Sequence, residues 1–214
     1  MKVARFGLTL FGVNCYVVWD PSTKECAVID PGIIEEKERS ALKNFIAKND
    51  LKVTNVINTH LHIDHCIGND FVTKEFGVPS MAHKADAPLG KQIRQQAQMF
   101  GIPGEVNDVE VTTYLEEGDV IKIGNGALEV IHVPGHSPGG IVLYDRKDGF
   151  LISGDVLFQG SVGRSDLPGG NHQQLIEGIR NKLLTLPDNT DVFSGHGPAT
   201  TIGEERLHNP FLQD

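Results

Sequence analysis

The apolar residues of the first 30 positions fall into short runs separated by turn-forming residues. The runs occupy residues 5–12, 14–20 and 25–30, with Gly, Asn, Asp and Pro concentrated between them. Short apolar runs with this punctuation are typical of strands joined by tight connections. The pattern therefore predicts a β-meander at the start of the chain.

A helical period follows the meander. Residues 35–48 place Leu42, Phe45 and Ile46 on one face and acidic residues in the first turn, which predicts an amphipathic surface helix. The run 52–59 returns to a buried-strand pattern, residues 66–77 suit a helix closed by Gly77, and 78–83 suit a strand.

The second half repeats this order of strands and helices. Hairpins are predicted over 119–136 and 139–155, then a helix over 172–186, a strand over 191–197 and a short helix near 203–208. Strands, helices, strands and helices in succession favour two sheets packed face to face with helices outside. The polar, Gly/Pro-punctuated segment 84–110 suits either a lid over a substrate site or a plain surface helix.

Composition narrows the class of protein. A chain of 214 residues with 39% hydrophobic content can bury its own core, so we expect one domain over 1–214. The formal charge of −9 disfavours a nucleic-acid binder, which needs Lys and Arg clusters. No stretch is apolar for long enough to span a membrane, and the interrupted N-terminus does not fit a signal peptide. Three cysteines without a C-x-x-C pair indicate free thiols and a cytoplasmic protein.

The stretch THLHIDH, residues 59–65, contains three histidines and a carboxylate directly after a predicted strand. His60 and His62 lie on the same side if the chain stays extended, so they can share one metal ion. Asp64 and His65 follow where a helix begins, and neighbouring helical residues diverge by about 100°. One loop could therefore serve two ions.

Three further stretches end an apolar strand in glycine and a potential ligand: they contribute His136, Asp155 and His196. Histidine and carboxylate donors at strand ends can build two neighbouring sites of the kind that zinc and non-haem iron occupy. His83, His132, His172 and His208 lack this setting, although His132 could support His136 from behind or simply pack in the core.

Together these residues resemble the metallo-β-lactamase superfamily of binuclear metallohydrolases, and the resemblance runs through the whole chain. It implies an α/β (α+β) fold, a four-layer αββα sandwich with the metals at one edge of the two sheets. It implies two divalent ions, with zinc expected and iron or manganese also suited. The first ion would be held by His60, His62, His136 and Asp155. The second would be held by Asp64, His65, Asp155 and His196.

More narrowly, GDVLFQGSVGRSDLPGG and the terminal TIGEERLHNPFLQD are similar to glyoxalase II, the hydroxyacylglutathione hydrolases, and to their bacterial single-domain members. Larger glyoxalase II enzymes continue into a helical glutathione-binding domain, which we expect to be absent here. Pro198 also stands where the larger enzymes often have tyrosine, whereas Arg164 matches a basic glutathione-contacting position. Arg164 could equally be the ion-pair partner of Asp166.

This resemblance implies hydrolysis of a small-molecule thioester such as S-D-lactoylglutathione. Metal-bound water would supply hydroxide, the first metal would stabilise the oxyanion, and Asp64 would orient the nucleophile. A mononuclear iron persulfide dioxygenase using His60, His136 and Asp155 is an alternative, since GR-x-D occurs at 163–166. Lactone or β-lactam hydrolysis stays open, because the fold hosts many substrates. A purely structural metal site is disfavoured, since such sites are usually closed and rich in cysteine. Oligomeric state is not predicted.

Overall fold

Strands with apolar side chains on both faces form the centre of the protein. In the computed structural model, which describes residues 1–213, they build two six-stranded sheets. The first sheet has the order β1-β2-β3-β4-β5-β6. Its strands are β1 (Lys2–Gly7), β2 (Asn14–Trp19), β3 (Glu25–Ile29), β4 (Lys52–Ile57), β5 (Ser80–His83) and β6 (Thr113–Leu115). Strands β1 to β3 pair antiparallel, whereas β3 to β6 run parallel.

The second sheet has the order β14-β13-β10-β9-β8-β7, and β11 and β12 form a separate two-stranded ribbon. Its strands are β7 (Val120–Ile123), β8 (Gly126–His132), β9 (Ile141–Asp145), β10 (Phe150–Gly154), β13 (Asp191–Ser194) and β14 (Thr200–Thr201), and the ribbon comprises β11 (Leu157–Phe158) and β12 (Ser161–Val162). Strand β9 is antiparallel to both β8 and β10, and β13 is parallel to β10. Strands β8, β10 and β13 therefore run in one direction.

Helices cover the outer faces. They are α1 (Glu36–Lys48), α2 (Ile63–Cys66), α3 (Asn69–Phe76), α4 (Ala87–Gly90), α5 (Ile93–Met99), α6 (His172–Gly178) and α7 (Ile202–His208), with a 3₁₀ turn at Lys84–Asp86 and a π-helical segment at Ile179–Leu183. None of the helices within residues 1–213 is long and apolar enough to cross a membrane.

Three apolar clusters fill the layers of the core, and a fourth contains Leu61, Ile63 and Ile93. Tyr16 and Val18 of β2 point between the sheets, into a cluster with side chains of the second sheet such as Leu143 and Ile152. Their neighbours Cys15 and Val17 point the other way, toward α1. A third cluster buries the outer face of the second sheet against α6 and α7. Side chains alternate along a strand, so strands buried on both faces produce layers of helix, sheet, sheet and helix. The predicted αββα sandwich is confirmed.

Several predicted boundaries are wrong. The first strand covers Lys2–Gly7 rather than 5–12, because Leu8 N–H donates to Val13 O at 2.9 Å and closes a turn over residues 8–13. The helix predicted over 172–186 is α-helical only to Gly178. The helix predicted over 66–77 begins only at Asn69, as α3, because Cys66 is the last residue of the separate short helix α2; Gly77 ends α3 in the left-handed conformation as expected.

The two sheets are tied together beside the ends of their central strands. The Tyr16 hydroxyl donates to Ser194 O at 2.6 Å, and Asn14 Nδ2 donates to the same carbonyl at 2.9 Å. Both donors belong to β2 of the first sheet, and the acceptor ends β13 of the second. This polar contact within an apolar interior fixes the offset between the sheets.

Replacing Tyr16 with Phe should lower the free energy of unfolding by about 1 kcal/mol, the net value of one neutral hydrogen bond. Chemical denaturation followed by fluorescence would measure it. Tyr114→Phe is the matched control, since Tyr114 is exposed, and it should leave the midpoint unchanged. Equal midpoints for the two variants would contradict a tie between the sheets at Tyr16.

Candidate metal centre

Seven histidine and aspartate side chains meet at one edge of the sandwich. Strands β8, β10 and β13 end at this edge, and their following loops supply His136, Asp155 and His196. The connection after β4 in the first sheet supplies the other four side chains, which are His60, His62, Asp64 and His65. Parallel strands present their carboxyl ends on the same side, so the topology alone brings distant segments together.

Three histidines form the first cluster. His136 Nε2 lies 3.2 Å from His60 Nε2 and 2.9 Å from His62 Nδ1. The imidazoles of His60 and His62 meet edge to face, with their centroids 4.7 Å apart. The chain remains extended at His62, as the pairing of the two residues requires. The three nitrogens therefore point at a common position.

The second cluster contains Asp64, His65 and His196. Asp64 Oδ2 lies 3.2 Å from His196 Nε2 and 3.7 Å from His65 Nε2. Asp155 stands between the clusters: its Oδ1 is 3.3 Å from His65 Nε2, and its Oδ2 is 3.7 Å from His136 Nε2. One carboxylate thus reaches both groups of donors.

The remaining nitrogens of three of these imidazoles face fixed acceptors. His136 Nδ1–H donates to Arg164 O at 2.7 Å, His196 Nδ1–H donates to Gly12 O at 3.2 Å, and His65 Nδ1–H donates to Asp30 Oδ2 at 3.0 Å. An acceptor at Nδ1 selects the tautomer whose Nε2 carries a free lone pair. Each ring therefore turns its Nε2 toward the cluster, where it is an acceptor whenever the imidazole is neutral.

Asp30 organises this part of the site and was missed by the sequence analysis. It is fully buried and accepts hydrogen bonds from Thr59 N at 2.7 Å and Thr59 Oγ1 at 2.6 Å, in addition to the bond from His65. Asp30 follows β3 at the same sheet edge as Thr59, so its position after a buried strand was the available signal.

The donor set fits divalent metal ions. His65 Nε2 and Asp155 Oδ1 are both buried, and neither makes a hydrogen bond within the described part of the chain. A buried polar atom without a partner is costly, which indicates that a group from outside the chain completes the pair. The surrounding nitrogen and oxygen donors are those that zinc and iron use.

The pKa values of the histidines are shifted in opposite directions in the two clusters. Burial, reinforced by His136, lowers the pKa of His62 to about 4, and burial with the neighbouring imidazoles holds the pKa of His60 well below its ordinary value. In the second cluster, burial is outweighed by Asp155, Asp64 and Asp30, which raise the pKa of His65 well above its ordinary value. The hydrogen bond with Asp64 raises the pKa of His196 as well.

Glycine allows close approach at this edge. A side chain at Gly195 would collide with Asp155 Oδ1 and would place its Cβ 2.7 Å from His65 Cε1. Gly154, just before Asp155, has a φ of +50°, and a Cβ there would run into the Thr59 side chain. Both glycines therefore match the expectation that the backbone passes close to the ligands.

Other predicted residues lie around the site. His132 Nε2–H donates to Pro138 O at 3.0 Å and its ring stacks on His83, so it holds the loop that follows His136. Arg164 is 63% exposed, and its guanidinium makes two 2.8 Å hydrogen bonds to Asp166. Its possible contact with a substrate stays a prediction, as does a lid formed by residues 84–110. The cysteines are free and buried as expected, and Cys66 Sγ donates to His62 O at 3.2 Å.

Comparison with known proteins gives consistent matches. The sequence profile of the Metallo-beta-lactamase superfamily matches residues 8–196. The hydroxyacylglutathione hydrolase GloC of Haemophilus influenzae is 38% identical over 213 residues, which cover 99% of this chain and 98% of that protein. Among solved structures, BLEG-1, a B3 metallo-β-lactamase, has a TM-score of 0.89 at 36% identity with full coverage of both chains. TTHA1623, solved in a di-iron-bound form, has a TM-score of 0.84 at 34% identity and covers 98% of this chain and 100% of its own.

In the metal-free protein at pH 6, we expect His62 to be neutral and His196 to be charged. A pKa lowered to about 4 leaves the His62 ring unprotonated at this pH, whereas the raised pKa of His196 keeps its proton bound. Imidazole ¹⁵N chemical shifts, assigned with His62→Gln and His196→Gln variants, would report both states. Titration of His62 near pH 6.5, as in an unperturbed histidine, would contradict the electrostatic separation.

Proposed function

The chain belongs to the metallo-β-lactamase superfamily, and we propose that it is a metal-dependent hydrolase whose substrate is a small thioester of the S-D-lactoylglutathione type. The observation that carries the proposal is the pair of donor clusters joined by Asp155, within a chain that is 38% identical over nearly its whole length to a hydroxyacylglutathione hydrolase. Similarity of this extent supports a shared reaction, while the identity of the thiol rests on the loops around the site.

In this proposal two divalent ions occupy the site. His60, His62, His136 and Asp155 would hold the first ion, and Asp64, His65, Asp155 and His196 would hold the second. Zinc is the proposed metal; iron fits the same donors, and the related TTHA1623 has been solved with two irons. When bound, the ions would lower the pKa of a water molecule and polarise the thioester carbonyl.

Asp64 orients the water. Burial would raise the pKa of its carboxyl group, but His65 and His196 outweigh that effect and lower it, so Asp64 is ionised at neutral pH. An ionised carboxylate accepts a hydrogen bond from the water and aims the water oxygen at the carbonyl carbon. A C–O bond forms, the C–S bond breaks, and the proton lost by the water ends on the departing thiol.

Arg164 has two separate roles in the proposal. Its carbonyl oxygen fixes the tautomer of His136, and this contact does not depend on its side chain. Its exposed guanidinium would exchange Asp166 for a carboxylate of the substrate, in a pair of the same charge-assisted kind.

Persulfide oxygenation at a single iron is the second candidate. His60, His136 and Asp155 form a connected arc, with His136 Nε2 3.2 Å from His60 Nε2 and 3.7 Å from Asp155 Oδ2. Two histidines and a carboxylate are the ligands of non-haem iron oxygenases. Oxygenation at one iron would leave the second cluster unused, although the three donors of that cluster also converge. We therefore favour thioester hydrolysis over oxygenation.

Purified protein reconstituted with zinc should hydrolyse S-D-lactoylglutathione, and Asp155→Ala should lose both activity and metal because one carboxylate serves both clusters. Release of the thiol and metal content by mass spectrometry would be measured together. Asp191→Ala is the matched control, since Asp191 is an exposed aspartate of the same sheet. Full turnover by metal-free Asp155→Ala protein would contradict the assignment as a metal-dependent thioesterase.

The same preparations should be tested against other thioesters, a lactone and a cephalosporin, because a β-lactamase shares the fold and 36% of the sequence. We expect the thioesters to be turned over fastest. Oxygen uptake with glutathione persulfide by iron-loaded protein, in the absence of thioesterase activity, would select the oxygenase instead.

Arg164→Ala should raise KM for S-D-lactoylglutathione about fivefold at most and leave kcat unchanged, because an exposed ion pair contributes up to about 1 kcal/mol. Steady-state kinetics would measure both constants. Asp166→Ala is the informative companion, since it frees the guanidinium and should lower KM. Unchanged KM values in both variants would show that Arg164 serves only its ion pair and the backbone contact to His136.

A further inference from the structure

Asp86 is a buried carboxylate that lies behind the first cluster. It ends the 3₁₀ turn Lys84–Asp86, which follows β5 in the first sheet, and it is 0% exposed. Its side chain points away from solvent and contacts loops that come from both sheets. None of the seven cluster residues is a hydrogen-bond partner of Asp86 within residues 1–213.

Three donors converge on Asp86. Its Oδ2 accepts from Leu61 N at 3.0 Å and from Ser137 Oγ at 2.9 Å, and its Oδ1 accepts from Gly139 N at 2.6 Å. Leu61 lies between His60 and His62, and Ser137 directly follows His136. The Asp86 carboxylate therefore binds both chain segments that carry the three histidines.

The second cluster is held differently. His65 is fixed by Asp30, and His196 by the carbonyl of Gly12, so neither depends on Asp86 for its orientation. Asp64 lies on the short helix α2, outside the three contacts of Asp86. Asp30 also reaches His60 indirectly, since the Thr59 hydroxyl that it binds lies 3.2 Å from His60 Nδ1. Asp86 alone contacts both the loop of His60 and His62 and the loop of His136.

We propose that Asp86 is a positioning residue for the first metal site, setting the distance between the His60–His62 loop and His136. The inference rests on the proposed function, in that it takes these three histidines as ligands of one ion. Residues that hold metal ligands from behind typically change metal affinity by about 10- to 100-fold when replaced.

The chemistry of the contact requires a carboxylate. Three donors need three acceptor positions, and an asparagine amide would turn its own N–H₂ group toward at least one of them. The loop cannot move closer to compensate, because Gly139 N already lies 2.6 Å from Asp86 Oδ1, at the short limit for an N–H···O hydrogen bond. Asp86→Asn should therefore push the two loops apart while preserving side-chain volume.

The test places Asp86→Asn in two single-site backgrounds. In His196→Gln protein only the first site is intact, and we expect zinc affinity to fall about tenfold or more. In His62→Gln protein only the second site is intact, and we expect less than a threefold change. Competition with a chromophoric chelator would measure both affinities, and cobalt absorption spectra would report the ligand geometry without any substrate.

Controls separate positioning from general destabilisation. Asp20→Asn alters another buried aspartate with several hydrogen bonds, remote from the site, and should leave both affinities unchanged. Ser137→Ala removes one of the three donors and should weaken the first site alone, with no further loss when combined with Asp86→Asn. This variant decides the matter if Asp86→Asn does not fold.

The outcomes distinguish the two proposals. Fewer than two zinc ions in the unmodified protein would contradict the proposed function itself. Two ions in that protein, with equal losses at both sites or none in the Asp86 and Ser137 variants, would overturn the role of Asp86 and leave the proposed function standing.

Discussion

The buried contact between Asp155 and His65 is the constraint around which this edge of the protein is organised. A carboxylate oxygen and an imidazole nitrogen lie 3.3 Å apart with no hydrogen-bond partner for either atom among the described residues. Polar groups left in this state destabilise a fold unless something else satisfies them. The tightly packed glycines, the acceptors behind the imidazoles and the buried Asp30 all serve to keep these atoms in place. The protein therefore holds two buried polar atoms in place that a bound ion would satisfy.

The apolar core of the sandwich supports this cluster of buried polar groups. Three apolar layers hold the strands rigidly, and β8, β10 and β13 present their ends at one edge before any ligand is considered. Donors placed just after rigid strand ends lose little freedom on binding, which favours metal affinity. Opposite pKa shifts in the two clusters follow from the same arrangement: burial and the His136 imidazole lower the pKa of His62, whereas three carboxylates outweigh the effect of burial at His65 and raise its pKa.

Much of this could be predicted from the sequence, for physical reasons. His136, Asp155 and His196 could be predicted because each follows an apolar strand pattern and a glycine. Strands show a period of two in the sequence, and glycine indicates close approach of the backbone. The end of the first strand was not predicted correctly, because it depends on a turn hydrogen bond at Leu8. The end of the helix that begins at His172 was not predicted either, because the segment after Gly178 is π-helical. Asp30 and Asp86 were missed since a single aspartate carries no pattern. Their roles appear only when Thr59, Leu61 and Ser137 are brought to them in three dimensions.

The contact between the first hairpin and the last ligand has a consequence for synthesis of the chain. His196 donates to the carbonyl of Gly12 and pairs with Val13 in an isolated bridge, across more than 180 residues of sequence. The ribosome therefore releases every donor of the first cluster before the residue that completes the second. Asn14 and Tyr16 must likewise wait for Ser194, so the turn after β1 has no partner across the sandwich until translation is almost finished. The second cluster and the tie between the two sheets are therefore both completed at the end of synthesis.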